Sequence, residues 1–210
     1  MTTTASKELT GVKDRAAFLA ELDGQLHDGN MPLALAVTDL DHLLVINETY
    51  GRDAGDAALV AWDRVLRANV PRGGSVARIG GDEFVVVLPG TSAENAVVLL
   101  EELRRHLAGM AVEGVAEAVS ASVGIGANPP HGTTAEELYR VAGEALMRAK
   151  RDGRDRVAMY VEEKMVLKSN YYSKANLERL SKVSAATDRT EASLLREALD
   201  DLLDKHKEVL

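Results

Sequence analysis

The chain has 210 residues, with 25 Lys and Arg against 33 Asp and Glu, a formal net charge of −8. Apolar residues make up 46% and charged residues 28%, a globular balance that excludes a disordered or collagen-like chain. Zero cysteines exclude a disulfide framework, a thiolate metal site and a cysteine nucleophile.

No apolar run approaches the ~18 residues that a membrane span needs. The first eight residues lack a basic and then apolar signal pattern, so the chain is read as cytoplasmic with no membrane partner. Pro32 to Asp39 is a short apolar run closing on a carboxylate, the pattern of a buried strand. Ala54 to Val70 has apolar residues at helical spacing. Ser75–Ile79 and Glu83–Leu88 are β-rich runs around Gly80-Gly81-Asp82, a hairpin signal. A helix is predicted over Ala93–Leu107 and a strand over Val119–Ile125. Thr133 or Thr134 then caps a helix that runs to about Lys150 and stops at Gly153, with Glu136-Glu137 in its first turn. Arg156–Val161 closes as a strand. This alternation with one central hairpin predicts an α+β domain over residues 1–161, a mixed sheet with flanking helices.

The pattern changes near residue 162. Leu167–Tyr172 reads as a strand, Ser173 caps a helix that Thr187-Asp188-Arg189 breaks, and Thr190 caps a second, Leu-rich helix. Residues 162–210 hold nine Lys and Arg against ten Asp and Glu, a net −1, which leaves −7 on the rest. So small a Leu-rich unit cannot bury its apolar surface alone, and it is expected to dimerise.

The carboxylates carry the chemistry. Asp39 and Asp41 lie at the end of the first strand, and Asp82 and Glu83 at the hairpin tip. If these points converge, two or three carboxylates make a hard-cation site of the kind Mg²⁺ shares with substrate phosphates. Gly80 and Gly81 let backbone approach a phosphate closely. Lys150 and Arg154, spaced i, i+4 with Arg156 nearby, are placed to neutralise a polyphosphate. Each feature alone has a plainer account: a Gly-Gly-Asp turn, Asp39 capping a helix that begins near residue 42, a solvated helix face for Lys150 and Arg154, a turn residue at Asn47 and a helix-start acid at Asp56. Their combination and order favour metal-assisted nucleotidyl transfer.

Arg78-Ile79-Gly80-Gly81-Asp82-Glu83-Phe84 resembles the signature of the GGDEF-domain diguanylate cyclases. Leu9–Phe18, Asp39–His42, Ile46-Asn47, Gly51–Asp56, Ser120–Ile125 and Ala149–Arg156 are similar to further motifs of that family, in order, over about residues 8–161. The resemblance implies a polymerase-palm-like fold that condenses two GTP into cyclic di-GMP across a homodimer. It implies two Mg²⁺ ions per GTP site (Mn²⁺ as the alternative ion), held by Asp39, the Leu40 carbonyl and Asp82. Asp82 and Glu83 would serve the deprotonation of the attacking 3′-hydroxyl. Asn47 and Asp56 would read the guanine edge, and Gly81, Lys150 and Arg154 would hold phosphates. An acidic acceptor at Asp56 fits the guanine N1–H and N2–H₂ donors and rejects adenine.

The chain departs from the family in having Leu43-Leu44 for Phe-Lys, Glu48 for Asp and Arg52 for His. Pro71 and Gly74 stand where the family's product-inhibition motif has Arg and Asp, so feedback by that route is not expected. Leu167–Leu203 resembles a ribbon-helix-helix module, a β-α-α dimer whose paired strands enter the major groove of duplex DNA. That resemblance points Ser169 and Tyr171 at bases and Thr190 at phosphate, whereas polarity alone points Lys168, Asn170 and Tyr172 outward. A helical dimerisation arm with no nucleic-acid role is the other reading of the tail. For the whole chain the alternative to an enzyme is a non-catalytic regulator that binds DNA in response to GTP or cyclic di-GMP.

Overall fold

The computed structural model describes residues 13–28, 31–161, 171–187 and 189–206, which fall into two units, Met1–Glu163 and Lys164–Leu210. In the first, the elements are α1 (Arg15–Asp28), β1 (Leu33–Leu40), α2 (Leu43–Tyr50), α3 (Arg52–Asn69), β2 (Ser75–Arg78), β3 (Glu83–Pro89), α4 (Ala93–Ala108), β4 (Ala121–Asn128), α5 (Ala135–Arg151) and β5 (Val157–Met159). The five strands form one mixed sheet in the order β2-β3-β1-β4-β5, antiparallel except for the parallel β4–β5 edge.

β1 is central, and both of its faces are covered, which is why its sequence is a continuous apolar run and not an alternation. Its even-numbered residues, Ala34, Ala36 and Leu40, join Phe84 and Val86 of β3 in the cluster under α3 and α4. Its odd-numbered residues, Leu33, Leu35 and Val37, join Val85 and Val87 in the cluster under α1 and α5. Thr38 is fully buried and polar, and it accepts a hydrogen bond from the indole Nε1 of buried Trp62 at 3.2 Å.

α5 lies unusually close to β4. A Cβ on Gly124 would sit 2.1 Å from both the Ala142 carbonyl oxygen and the Leu146 nitrogen, and one on Gly126 would meet Val141 at 2.6 Å. Two glycines at period two thus strip one face of β4 down to backbone and seat the helix directly on it. Thr134 starts that helix with a complete capping box: its hydroxyl accepts from the Glu137 N–H, and the Glu137 carboxylate returns to the Thr134 N–H.

Several boundaries differ from expectation. The predicted strand 119–125 is observed as Ala121–Asn128, because its ends follow the antiparallel partner, with Leu40 facing Ala121 and Leu33 facing Asn128. α1 was not foreseen; only Phe18 and Leu22 of its apolar residues are fully buried. α2 begins after His42, a left-handed residue (φ 58°) that gives no side-chain cap, and Asp39 does not cap it.

The second unit contains α6 (Lys174–Thr187) and α7 (Glu191–Lys205). Ser173 caps α6 through the Asn176 N–H at 3.2 Å, and Thr190 directly precedes α7. In the predicted strand 167–172, residues 167–170, Ser169 among them, lie outside the described residues, and Tyr171 and Tyr172 form no strand.

Candidate active site

The register of β1 and β3 sets Asp39 opposite Glu83, on the sheet face that α5 covers. α5 supplies Lys150, whose Nζ lies 2.9 Å from Asp39 Oδ2. The Asp39 carboxyl is held above the usual carboxylate range: burial does most of this, the Asp82 and Asp41 charges add to it, and the Lys150 hydrogen bond and charge oppose it. Asp39, Asp82 and Lys150 are therefore one electrostatic group, and Glu83 faces Asp39 across the strand pair.

Asp82 sits in the four-residue turn between β2 and β3, closed by the Ile79 N–H to the Glu83 carbonyl at 3.0 Å. Arg78 Nε donates to the Gly81 carbonyl at 3.1 Å, and its guanidinium lies 5.9 Å from the centre of the Phe84 ring, so the glycine turn is pinned from inside. A Cβ on Gly81 would meet nothing of this chain within 4 Å. Internal packing thus does not demand the glycine, and close approach of a ligand to the backbone is consistent with it.

Glu83 receives a hydrogen bond from the Tyr139 hydroxyl of α5. Burial and the Glu83 carboxylate raise the Tyr139 pKa well above the ordinary phenol range, so it remains a donor. Arg15 of α1 stacks over that ring at 4.4 Å and bridges to Glu136 at 3.1 Å.

Two sequence expectations are corrected. Asp41 is not a cation ligand beside Asp39: it is buried, 3% exposed, and accepts from Ser122 Oγ at 2.7 Å, Ser120 Oγ at 3.0 Å and the Asp155 N–H at 3.0 Å. β1 ends at Leu40, so the alternation that would put residues 39 and 41 on one face stops before Asp41. Lys150 and Arg154 do not share a helix face either. α5 ends at Arg151, and Arg154 lies in the turn beyond it with φ 60°.

Asn47 and Asp56 come from the α2–α3 corner. Gly51 (φ 90°, ψ 164°) makes the corner in a region essentially closed to other residues. A Cβ on Gly55 would lie 1.9 Å from Asn47 Oδ1, so the glycine lets the Asn47 amide lie against the start of α3, next to Asp56. Both side chains remain half-buried. Leu44, on the same short helix, is 69% exposed.

Among the described residues no group of three or more His, Cys, Asp and Glu could cage a metal. Two mutually repelling carboxylates near a strand-end carbonyl fit an ion whose shell is completed by substrate phosphates, the usual situation of Mg²⁺. Sequence reasoning missed Tyr139, Arg15 and the Arg78 pin because each acts across tertiary contacts with no local signature; the Gly124-x-Gly126 pair was the available sign of close backbone approach. Tyr171 is fully exposed, and it and Thr190 belong to the second unit.

The family model for "Diguanylate cyclase, GGDEF domain" matches residues 5–156. The diguanylate cyclase DgcP of Pseudomonas aeruginosa is 39% identical over 153 residues, which cover 71% of this chain and 23% of that protein. The GGDEF domain of YfiN (TpbB) from Pseudomonas aeruginosa is 30% identical with a TM-score of 0.68, covering 74% of this chain and all of that one (100%). The GGDEF domain of DgcB from Caulobacter crescentus, solved in complex with c-di-GMP, is 28% identical with a TM-score of 0.65, covering 72% of this chain and 92% of that one. The chain spans well under half the length of the curated relatives it matches.

Proposed function

The chain belongs to the GGDEF diguanylate cyclase family, and from that premise we propose that it condenses two GTP into cyclic di-GMP and two pyrophosphates. The carrying observation is the meeting of Asp39, Asp82, Glu83 and Lys150 at one end of the sheet, with the family's signature turn intact.

In this reading Asp39, the Leu40 carbonyl and Asp82 hold Mg²⁺. When bound, the metal neutralises charge on the triphosphate and on the attacking and leaving oxygens. Asn47 and Asp56 hydrogen-bond the guanine edge, with the Asp56 carboxylate accepting from guanine's N–H donors. The Gly81 backbone, Lys150 and Arg154 hold phosphate oxygens. Asp82, with Glu83 beside it, takes the proton of the 3′-hydroxyl. The 3′-oxygen then forms its bond to the partner nucleotide's α-phosphorus as the bond to the β-phosphate oxygen breaks. Each domain carries one GTP, so two copies face each other. Tyr139 fixes the Glu83 carboxylate for this step.

The Pro71–Gly74 turn supports the expectation that product feedback is not exerted there. A Cβ on Gly74 would meet Val70 at 2.4 Å and the Val87 carbonyl oxygen at 2.9 Å, leaving no space for an aspartate.

For residues 162–210 the reading is a dimerisation unit of ribbon-helix-helix type, of which the two helices are described. In its support, α6 has no buried residue, and Leu177, Val183, Leu199, Leu202 and Leu203 are exposed. An open apolar groove of about 400 Å³ runs along Tyr172, Leu177, Leu180, Val183 and Leu195. Dimerisation is its main role in this reading, because a net −1 is not the charge of a phosphate-binding surface; Ser169, Tyr171 and Thr190 are where contact with duplex DNA would fall.

Incubation with GTP and Mg²⁺ followed by chromatography and mass analysis tests the first reading. Cyclic di-GMP is the expected product. GTP binding without product at micromolar protein overturns the cyclase reading and favours a nucleotide-responsive regulator, to which the uncharged Leu44 would be suited. Removal of residues 162–210 should lower turnover per molecule at least about tenfold at nanomolar protein and much less at high concentration, as loss of a tether predicts. Equal specific activity across that range would rule out the tail as the pairing element.

A further inference from the structure

After α5 ends, the chain must turn sharply to enter β5 at Val157, and it does so through three successive residues with positive φ: Gly153 (114°), Arg154 (60°) and Asp155 (46°). Two of these carry side chains in a region that side chains disfavour, so the surroundings must hold them there. Two clamps close on Asp155. Its N–H donates to the buried Asp41 carboxylate at 3.0 Å. Its own carboxylate receives Arg104 of α4. Arg104 is itself fixed by Glu101, at 3.1 Å and 2.9 Å, and the other Glu101 oxygen takes the Val157 N–H at 3.0 Å.

Arg154 sits directly before the clamped residue. Its N–H is bonded to the Ala149 carbonyl at 3.0 Å, and its own carbonyl accepts from Arg156 Nε at 3.0 Å. Its backbone is thus tied on both sides. Its guanidinium is exposed and makes no ion pair with another described residue. An anchored backbone under an unengaged cation is suited to meet an anion from outside the chain.

We propose that Arg104 and Asp41 are positioning residues that hold Asp155 and thereby aim Arg154 at the triphosphate of GTP. The proposal rests on the reading of Arg154 as a phosphate-binding residue. Arg104 itself contacts Glu101 and Asp155, not Asp39 or Lys150. α4 packs on the sheet face opposite the one that carries Asp39 and Lys150, so Arg104 acts only through the turn.

The test is a double-mutant cycle on the full chain, with KM for GTP, kcat and thermal unfolding measured for Arg104→Met, Arg154→Ala and the pair. Arg104→Met should raise KM about 5–10-fold and leave kcat within about threefold. In the Arg154→Ala background the same change should alter KM less than about twofold, because the cation it aims is gone. Arg104→Lys, which keeps a charge at Asp155, should restore KM to within about twofold of the parent. Equal KM increases in both backgrounds, or no increase with Arg154 present, would overturn the proposal. Should Arg104→Met fail to fold, Asp155→Asn makes the same test, since it keeps the N–H to Asp41 and loses the charge that binds Arg104. If Arg154→Ala alone leaves KM unchanged, the phosphate role of Arg154 has failed and this proposal falls with it. An effect of Arg154→Ala without one of Arg104→Met refutes the positioning role alone.

Discussion

Asp39→Asn should suppress cyclic di-GMP formation by on the order of 10³-fold while leaving the protein at least as stable as the parent. In the proposed chemistry Asp39 is one of two carboxylates that bring the metal to the triphosphate. A loss of about 4 kcal/mol of transition-state stabilisation corresponds to about 10³ in rate. The stability half of the expectation follows from charge. Asp39 is 14% exposed, and burial, Asp82 and Asp41 together outweigh Lys150 and hold its pKa above the unfolded value. The folded chain therefore binds the Asp39 proton more tightly than the unfolded chain does. Ionised Asp39 weakens the fold as pH rises through those values, and the weakening persists at neutral pH. A neutral isostere removes it, and the Lys150 ammonium, 25% exposed, can turn to water. Activity within tenfold of the parent, or a clear fall in Tm, would contradict this assignment.

Gly124→Ala and Gly143→Ala should move stability in opposite directions. The three atoms nearest the added carbon at 124 are all backbone, the Ala142 oxygen and Leu146 nitrogen at 2.1 Å and the Leu146 Cα at 2.7 Å, none of which can rotate away. Strand and helix must separate, at about 3 kcal/mol or more, or a fall in Tm of roughly 6–12 °C for a domain of this size. Cyclisation should fall further, since the displaced helix carries Tyr139 and Lys150. At Gly143, in the interior of the same helix, a Cβ meets nothing within 4 Å, and replacing a helical glycine by alanine gains about 0.5–1 kcal/mol. Parallel melting curves decide the matter: a Gly124→Ala protein that melts with the parent would mean that β4 and α5 are not in contact as described.

Much of this fold could be read from the chain because its signals are local. The run from Pro32 to Asp39, the Gly-Gly hairpin and the Thr133-Thr134 cap with its acidic first turn each state their element within ten residues. The sheet order emerged only with the structure, since nothing local says that β1 lies between β3 and β4. At the candidate site, closeness in sequence was the misleading signal, because the elements end between the paired residues. β1 ends at Leu40, between Asp39 and Asp41, and α5 ends at Arg151, between Lys150 and Arg154. Past those ends the backbone turns, and each residue answers to the tertiary partner it meets: two serines for Asp41, and a turn tied to α4 and to Asp41 for Arg154.

The Lys150–Asp39 contact also sets an exchange condition on whatever enters the site. A bare cation that seeks Asp39 must compete with a resident ammonium, and a bare triphosphate that seeks Lys150 must compete with a resident carboxylate. A metal–nucleotide complex offers each partner a replacement at the same moment, so the two displacements assist one another and the assistance is reciprocal. If Asp39 and Lys150 have the roles proposed above, the pair would act as a coincidence detector, admitting metal and nucleotide together more readily than either alone.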